Sequence, residues 1–524
     1  MSFGWTALRV LAAAVAAFLV ARPLWHILQL ESYQFYGYFK SCLRRLKAVA
    51  LPGLLISMPL FLDTLLAVPA PVLHLLLLAA CLGLALLIRR RQRSMKEKKR
   101  FIVTARVKRL LAVSAAAFVL IAWGLSSLAP WCGALFPALL PLWVAVGAAL
   151  AWPVEKLIQQ LYFRDAQKML RKRDDLIKIG ITGSYGKTSV KFILATILEE
   201  KYQVLATPAS FNTPMGLTRV IREQLTPTHQ VFLAEMGARH VGEIAELCRL
   251  VHPRYGVLTA VGPQHLDTFH TLDNIIRTKY AIMEAVPEDG CCFFADDGDI
   301  CRRLYDRTNK NKRIVSLTRP EGEQPDVYAE DLTVSAEGSR FTLCSGGEKI
   351  ACRTLLLGEH AIQNILLAAS VAAELGLKPK EIARGIAKLR PVEHRLQLMH
   401  RGEQIWIDDA FNSNPRGAAA ALRVLKAFSG RRVLVTPGMV ELGAEEAELN
   451  RAFGRQAAES ADEIILVGPR HTRPIAEGIR EKGFGEEHLH VAVDLNEAIG
   501  ILSRIGRPGD VVLLENDLPD HYTE

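Results

Sequence analysis

Residues 182–189 read TGSYGKTS, two glycines three apart followed at once by a lysine and a hydroxyl residue. That combination makes a phosphate cradle. Gly183 and Gly186 permit backbone angles and close approaches that a Cβ would block. Lys187 offers a positive charge to the β- and γ-phosphates of a nucleotide, and Thr188 offers a hydroxyl to Mg2+. Ser184 and Ser189 complete the expected ATP-binding loop. The spacing G-x-x-G-K-T is tighter than that of ordinary phosphate loops. An apolar run, Ile177–Ile181, enters the loop, and a helix is expected from about Lys187. A strand, a glycine turn and a helix N-terminus in that order point backbone N–H groups at an anion.

Other candidate residues sit at the ends of further apolar strands. Val231–Ala234 ends in Glu235. A carboxylate at the C-terminal end of a parallel strand lies beside the ligand crevice, where it can hold Mg2+. A helix-capping acid is the plainer reading. Tyr255–Val261 leads to His265, a candidate second metal ligand, although a lone histidine is more often structural. Gln404–Ile407 leads to Asp408 and Asp409, followed by Asn412 and Asn414 in an Asn-x-Asn-Pro turn. His360 and Asn364 are four apart and share a helix face. Apolar strands at 431–436, 463–467 and 510–514 alternate with helical stretches, which implies a small parallel sheet.

The first third of the chain is different. The net charge of +10 divides into +16 over residues 1–176 and −6 over the remainder. Apolar stretches near 7–29, 48–68, 71–88, 110–129 and 132–152 each approach the ~20 residues that span a bilayer as a helix. The first has no basic segment ahead of it, so it reads as a retained span rather than a signal peptide. Basic residues crowd the loops 30–47 and 89–109. The expected topology is a multi-pass plasma-membrane protein of five spans, with the N-terminus outside and residues 153–524 in the cytoplasm. A water-soluble bundle would need a polar face. Basic charge beside apolar spans favours membrane lipid, not nucleic acid, as partner. Arg9, Asp63 and His74 lie in or near spans and are expected to contact another helix or a substrate; Arg22 can snorkel to the surface. The nine cysteines form no CxxC pair, which excludes a zinc ribbon and a disulfide framework. Cys291 and Cys292 read as core packing.

Taken in order, TGSYGKTS, FNTPMG (211–216), LAEMGARHVGEI (233–244), the stretch 257–286 around QHLD, LLGEHAIQNILLAA (356–369), HRLQL (394–398), IDDAFNSNPRG (407–417) and PGMVELG (437–443) resemble the Mur ligase family of ATP-dependent amino-acid ligases. The resemblance covers nearly all of 177–515 and is closest to the branch that adds D-Ala-D-Ala to a UDP-MurNAc-tripeptide. It implies a multidomain chain: a helical transmembrane domain (1–152), a linker helix (153–176), an α/β central ATPase domain (177–395) and a Rossmann-like α/β domain (396–524). It implies that ATP and Mg2+ are the cofactors, with Thr188, Glu235 and His265 on the metal. Lys187, Lys279 and Arg395 become the catalytic set, Lys279 matching a lysine that carries a carbamate. His360, Asn364, Arg395 and Asp408 face ATP, and Asp409, Asn412 and Asn414 form the amino-substrate loop. The implied partners are an amino-acid or dipeptide amine and a carboxylate precursor, UDP-linked or lipid-linked. The implied reaction activates that carboxylate as an acyl phosphate, which the amine attacks.

Three departures stand out. Membrane spans occupy the place of the family's UDP-sugar domain. A late Lys-Gly-Ser-type loop is replaced by LLENDLPDHY (513–522). The adenine-site motif Asn-x-Asp-Asp appears as Phe294-Ala295-Asp296-Asp297. Rival readings are a membrane-associated poly-γ-glutamate synthase-like ligase, a folylpolyglutamate synthetase, and a non-catalytic membrane scaffold with a ligase-like domain.

Overall fold

A computed structural model describes residues 3–65, 71–94, 100–208, 211–318, 325–335, 337–410, 413–440 and 442–516. Asn412 lies outside them, as does most of the acidic loop that ends the chain. The chain divides into two units, residues 1–161 and 162–524.

The first unit is helical: α1 (Phe3–Val20), α2 (Arg22–Leu30), α3 (Phe35–Arg44), α4 (Leu46–Leu65), α5 (Pro71–Ser94), α6 (Ala105–Leu128), the short α7 (Pro130–Ala134), a 3-10 turn (Phe136–Leu139) and α8 (Leu140–Arg171). Among the described residues, four helical segments are long and apolar enough to cross a membrane, and the bent pair α1–α2 makes a fifth if counted as one span. The first apolar stretch, 7–29, falls on that pair, with Arg22 and Pro23 at the break between its two helices. It bends by 47° at Ala21, because Pro23 cannot donate to the preceding turn. Most of the apolar stretch at 132–152 and most of the expected linker helix fall on a single element. One helix, α8, runs from Leu140 through Pro153 to Arg171. The interior is filled by small residues of α1 (Ala13, Ala16, Ala17) and by Phe118 and Phe136. Large apolar side chains face outward along these helices: Leu54, Leu76, Leu87 and Leu120 are 51–71% exposed. Arg9, Asp63 and His74 meet one another across three helices. The Arg9 guanidinium donates to the Asp63 carboxylate and backbone carbonyl, and His74 Nδ1 shares a hydrogen bond with the other carboxylate oxygen. Glu155 of α8 is held bidentately by Arg109 of α6.

The second unit opens with β1 (Ile177–Thr182), α9 (Lys187–Leu198), β2 (Val204–Ala206), α10 (Pro214–Gln224), β3 (Val231–Glu235), α11 (Glu243–Val251), β4 (Tyr255–Leu258), α12 (Leu266–Phe269), α13 (Leu272–Ala285), β5 (Cys291–Ala295), α14 (Ile300–Asp306) and β6 (Lys312–Ser316). An antiparallel meander follows, β7 (Val327–Ser335), β8 (Gly338–Ser345) and β9 (Glu348–Thr354), then α15 (Glu359–Glu374) and α16 (Pro379–Ala387). The nine strands form one sheet in the order β2-β3-β1-β4-β5-β6-β7-β8-β9. Chain direction reverses its march at β1/β4, so the C-terminal ends of β1, β3 and β4 open on one crevice. Strand alternation sends Val231, Leu233 and Phe293 to the face covered by α9 and α15. It sends Phe232, Ala234 and Phe294 to the face covered by α11 and α13. Cys291 and Cys292 point to opposite faces and are both buried.

A second sheet is built from β10 (Gln397–Arg401), β11 (Gln404–Asp409), α17 (Pro415–Lys426), β12 (Arg432–Thr436), α18 (Glu446–Ala458), β13 (Glu463–Val467), α19 (Arg473–Glu481), β14 (Leu489–Ala492), α20 (Leu495–Ile505) and β15 (Val511–Glu515). Its order is β10-β11-β15-β12-β13-β14, parallel except for the β10–β11 hairpin. This is the expected small α/β domain.

Candidate active site

The loop between β1 and α9 is shaped by its glycines. Gly183 has φ +150°, and a Cβ there would stand 2.1 Å from Thr259 Oγ1; Gly186 has φ +80° and faces Asn364 Oδ1. Ser184 braces the loop. Its N–H donates to Ala260 O (2.6 Å) and its hydroxyl to Gly262 O (2.9 Å). Its side chain is thus committed to the chain after β4. Lys187 Nζ folds back to donate to Gly183 O (2.7 Å) and Ser184 O (3.1 Å). Burial pulls its amine down to about 8, with Glu235 opposing and Arg395 assisting the shift.

Glu235, 1% exposed, ends β3 as expected. One oxygen receives the Thr188 hydroxyl (3.1 Å) and the Asn212 amide (3.0 Å), and the other receives Lys191 Nζ (2.9 Å). Asn212 comes from the FNTPMG motif, whose Thr213 caps α10. A hydroxyl and a carboxylate oxygen side by side are hard donors of the kind Mg2+ takes, so these residues fit that ion. His265 sits at φ +53° just ahead of α12, and its carbonyl accepts from the N–H groups of Thr268 and Phe269 in that helix. Lys279 of α13 is 2% exposed, not on an open helix face. Burial, and then the nearby Lys187 ammonium, hold its amine well below the ordinary lysine range.

A cavity of about 770 Å³ opens beside this loop, between the two sheets of the second unit. Gly186, Thr188, Ser189, His360 and Asn364 line one side; Arg395, Asp409, Ser413, Asn414 and Arg416 line the other. Burial lowers His360 to about 4, so it is neutral at pH 7. Burial raises Asp409 to about 6, against the pull of Arg395. Asp408 is placed differently from its neighbour. It is buried, bonds to His394 Nδ1 (2.8 Å) and accepts from Ala410 N–H (3.1 Å), so Asp409 is the acid on the cavity wall.

Several residues escaped the sequence reading: Lys191, Asn212, Thr259, Ser413 and Arg416. Lys191 carried a local signal, since it follows Lys187 by four on the same helix, and the others lay inside the family motifs with no individual role assigned. Glu515 also went unassigned. It is 1% exposed, receives the Ser413 and Thr436 hydroxyls, and is raised by burial to about 8.

The Mur ligase middle domain model matches residues 181–372, and the Mur ligase glutamate ligase domain model matches 394–515. The UDP-N-acetylmuramoyl-tripeptide–D-alanyl-D-alanine ligase of Mycobacterium bovis is 32% identical over 359 residues, covering 64% of this chain and 69% of that protein. The enzyme of the same name from Escherichia coli is 31% identical over 326 residues, 62% of this chain and 71% of that one. A crystal structure of MurF from Acinetobacter baumannii superposes with a TM-score of 0.62 at 25% identity, over 70% of this chain and 78% of that one. With a glycine-turn loop ahead of a helix, the Thr188–Glu235 oxygen pair and a second α/β domain in the family's order, the chain belongs to the Mur ligase family of ATP- and Mg2+-dependent, ADP-forming carbon–nitrogen ligases.

Proposed function

We propose that this protein is a membrane-anchored ligase that joins D-Ala-D-Ala, or a closely related amine, to the peptide carboxylate of a peptidoglycan precursor. The observation that carries the reading is the cavity between the two sheets, walled by the phosphate loop on one side and by Arg395, Asp409 and Asn414 on the other. Lys187 exchanges its loop carbonyls for the β- and γ-phosphates, and Arg395 neutralises charge at the transferred phosphoryl group. Mg2+, held by Thr188 and Glu235 with His265 as a further ligand, would align the phosphates and offset their charge. Burial lowers the Lys279 amine, which favours the uncharged form that accepts CO2 as a carbamate. His360 and Asn364 contact the nucleotide, Asp408 fixes the loop after β11, and Asp409 with Asn414 presents the amine. Closure of the second sheet over the first keeps water from the acyl phosphate.

Residues 1–152 form the membrane domain, with five crossings if the α1–α2 pair is one, the N-terminus outside and the ligase domains, 177–395 and 396–524, in the cytoplasm. Apolar outer faces and basic loops support this reading. A second reading, a lipid-linked carboxylate substrate, is favoured by one observation: the helical unit stands ahead of the matched region, where the family carries its UDP-sugar domain. ADP release by the full-length protein in detergent tests both. D-Ala-D-Ala would be supplied with either a UDP-MurNAc-tripeptide or its polyprenyl-linked counterpart. Turnover with the soluble nucleotide supports the first, turnover only with the lipid form supports the second, and release with neither overturns the assignment.

A further inference from the structure

Lys191 has no exposed surface, and its Nζ lies 2.9 Å from Glu235 Oε2. A buried ion pair is a poor device for stability, since two apolar side chains of similar volume hold a core as well. Its geometry is more informative. The Glu235 carboxylate has two chemically equivalent oxygens, and the surroundings make them different. Oε2 is turned into the core against Lys191. Oε1 is turned to the phosphate loop, where Thr188 and Asn212 reach it. A carboxylate fixed in this way can offer a cation one oxygen and not two.

That distinction separates two biological cations. Mg2+ takes single oxygens in a tight octahedron, whereas Ca2+ is larger and readily accepts both oxygens of one carboxylate. We propose that Lys191 is a positioning residue that makes Glu235 a one-oxygen ligand and so selects Mg2+ over Ca2+ at the nucleotide site. The proposal rests on the reading of Glu235 as a metal ligand.

The test is calorimetric ADP binding to the full-length protein in detergent, titrated at a series of Mg2+ or Ca2+ concentrations. In the wild type, Mg2+ should strengthen ADP binding more than Ca2+. Lys191→Met frees the second oxygen, and the Mg2+/Ca2+ preference is expected to fall about tenfold, mainly through tighter Ca2+ binding. Lys191→Arg keeps the charge, but its planar fork engages both carboxylate oxygens. It is expected to weaken the Mg2+ response about tenfold, which a merely structural cation would not do. It also serves if the methionine variant does not fold. A wild-type Mg2+/Ca2+ ratio in folded Lys191→Met, or a wild-type Mg2+ response in Lys191→Arg, overturns the proposal. Glu235→Gln separates the two levels. If it leaves the metal response intact, the metal reading itself fails; if it abolishes the response while Lys191→Met keeps the ratio, only the role of Lys191 fails.

Discussion

Asp63 of α4 and Arg9 of α1 are 54 residues apart and form a buried ion pair, in which the guanidinium reaches both the carboxylate and the backbone carbonyl of the same residue. His74 of α5 takes the remaining carboxylate oxygen, so one acid ties three apolar helices together. Asp63→Ala would leave Arg9 buried without its counter-charge, a loss of about 3–5 kcal/mol. Thermal unfolding of the protein in detergent should register it as a large drop in the first unit. Asp63→Asn, which still accepts a hydrogen bond, should cost less. An unchanged melting profile for Asp63→Ala would show that the pair is dispensable.

At the phosphate loop the expectation concerns function, not folding. Gly183→Ala sets a Cβ against the Thr259 hydroxyl at a φ that side chains rarely adopt. A displacement of this size should weaken ADP binding by about a hundredfold. Lys187→Ala should abolish ADP release while the protein still fractionates with membranes. Full ATP-dependent ligation by Lys187→Ala would contradict the site.

Nucleotide affinity should also depend on pH. Lys187 is depressed to about 8, so its charge is present below that pH and lost as pH rises through it. ADP affinity is therefore expected to be flat from pH 6 to 7.5 and to decline above pH 8. Lys187→Arg, charged throughout, should remove the decline. A wild-type affinity that is constant to pH 9 would count against this.

Glu515 makes the opposite kind of prediction, in stability. Its carboxyl is raised by burial from an ordinary value of 4.5 to about 8, so the folded state holds a proton that the unfolded chain releases. Its contribution to stability is complete below the unfolded value and is lost as pH climbs from there to about 8. Chemical denaturation between pH 5 and 9 should show a loss on the order of a few kcal/mol in the wild type and a flatter profile in Glu515→Gln. Parallel profiles would place the titration elsewhere.

What could be read from the chain was what is encoded locally. The phosphate loop is eight consecutive residues, and Glu235 and Asp408 were legible as acids following apolar strands, whereas Asp409, the one on the cavity wall, was read only as part of the loop behind it. Contacts between distant segments were not. Nothing near Lys191 names Glu235, 44 residues away, and nothing near Ser413 names Glu515, 102 away. Hydropathy marked five apolar stretches, and Arg22 with Pro23 marked an interruption in the first, but the 47° angle between its two helices is not in that signal. It also stopped the last span at Trp152–Pro153, where charged residues begin, although helix α8 continues through both. The β7–β9 meander went unread. Its strands alternate buried and exposed residues, a weaker signal than the solid apolar runs of the parallel strands.

The posture of Lys187 has a final consequence. With its ammonium resting on Gly183 and Ser184 carbonyls, the loop supplies its own placeholder for a phosphate. Nucleotide arrival is then an exchange of partners, not the quenching of a bare charge. The loop carbonyls leave part of the burial cost in place, since the amine stays depressed to about 8, and on the proposed reading a nucleotide's phosphates would relieve it.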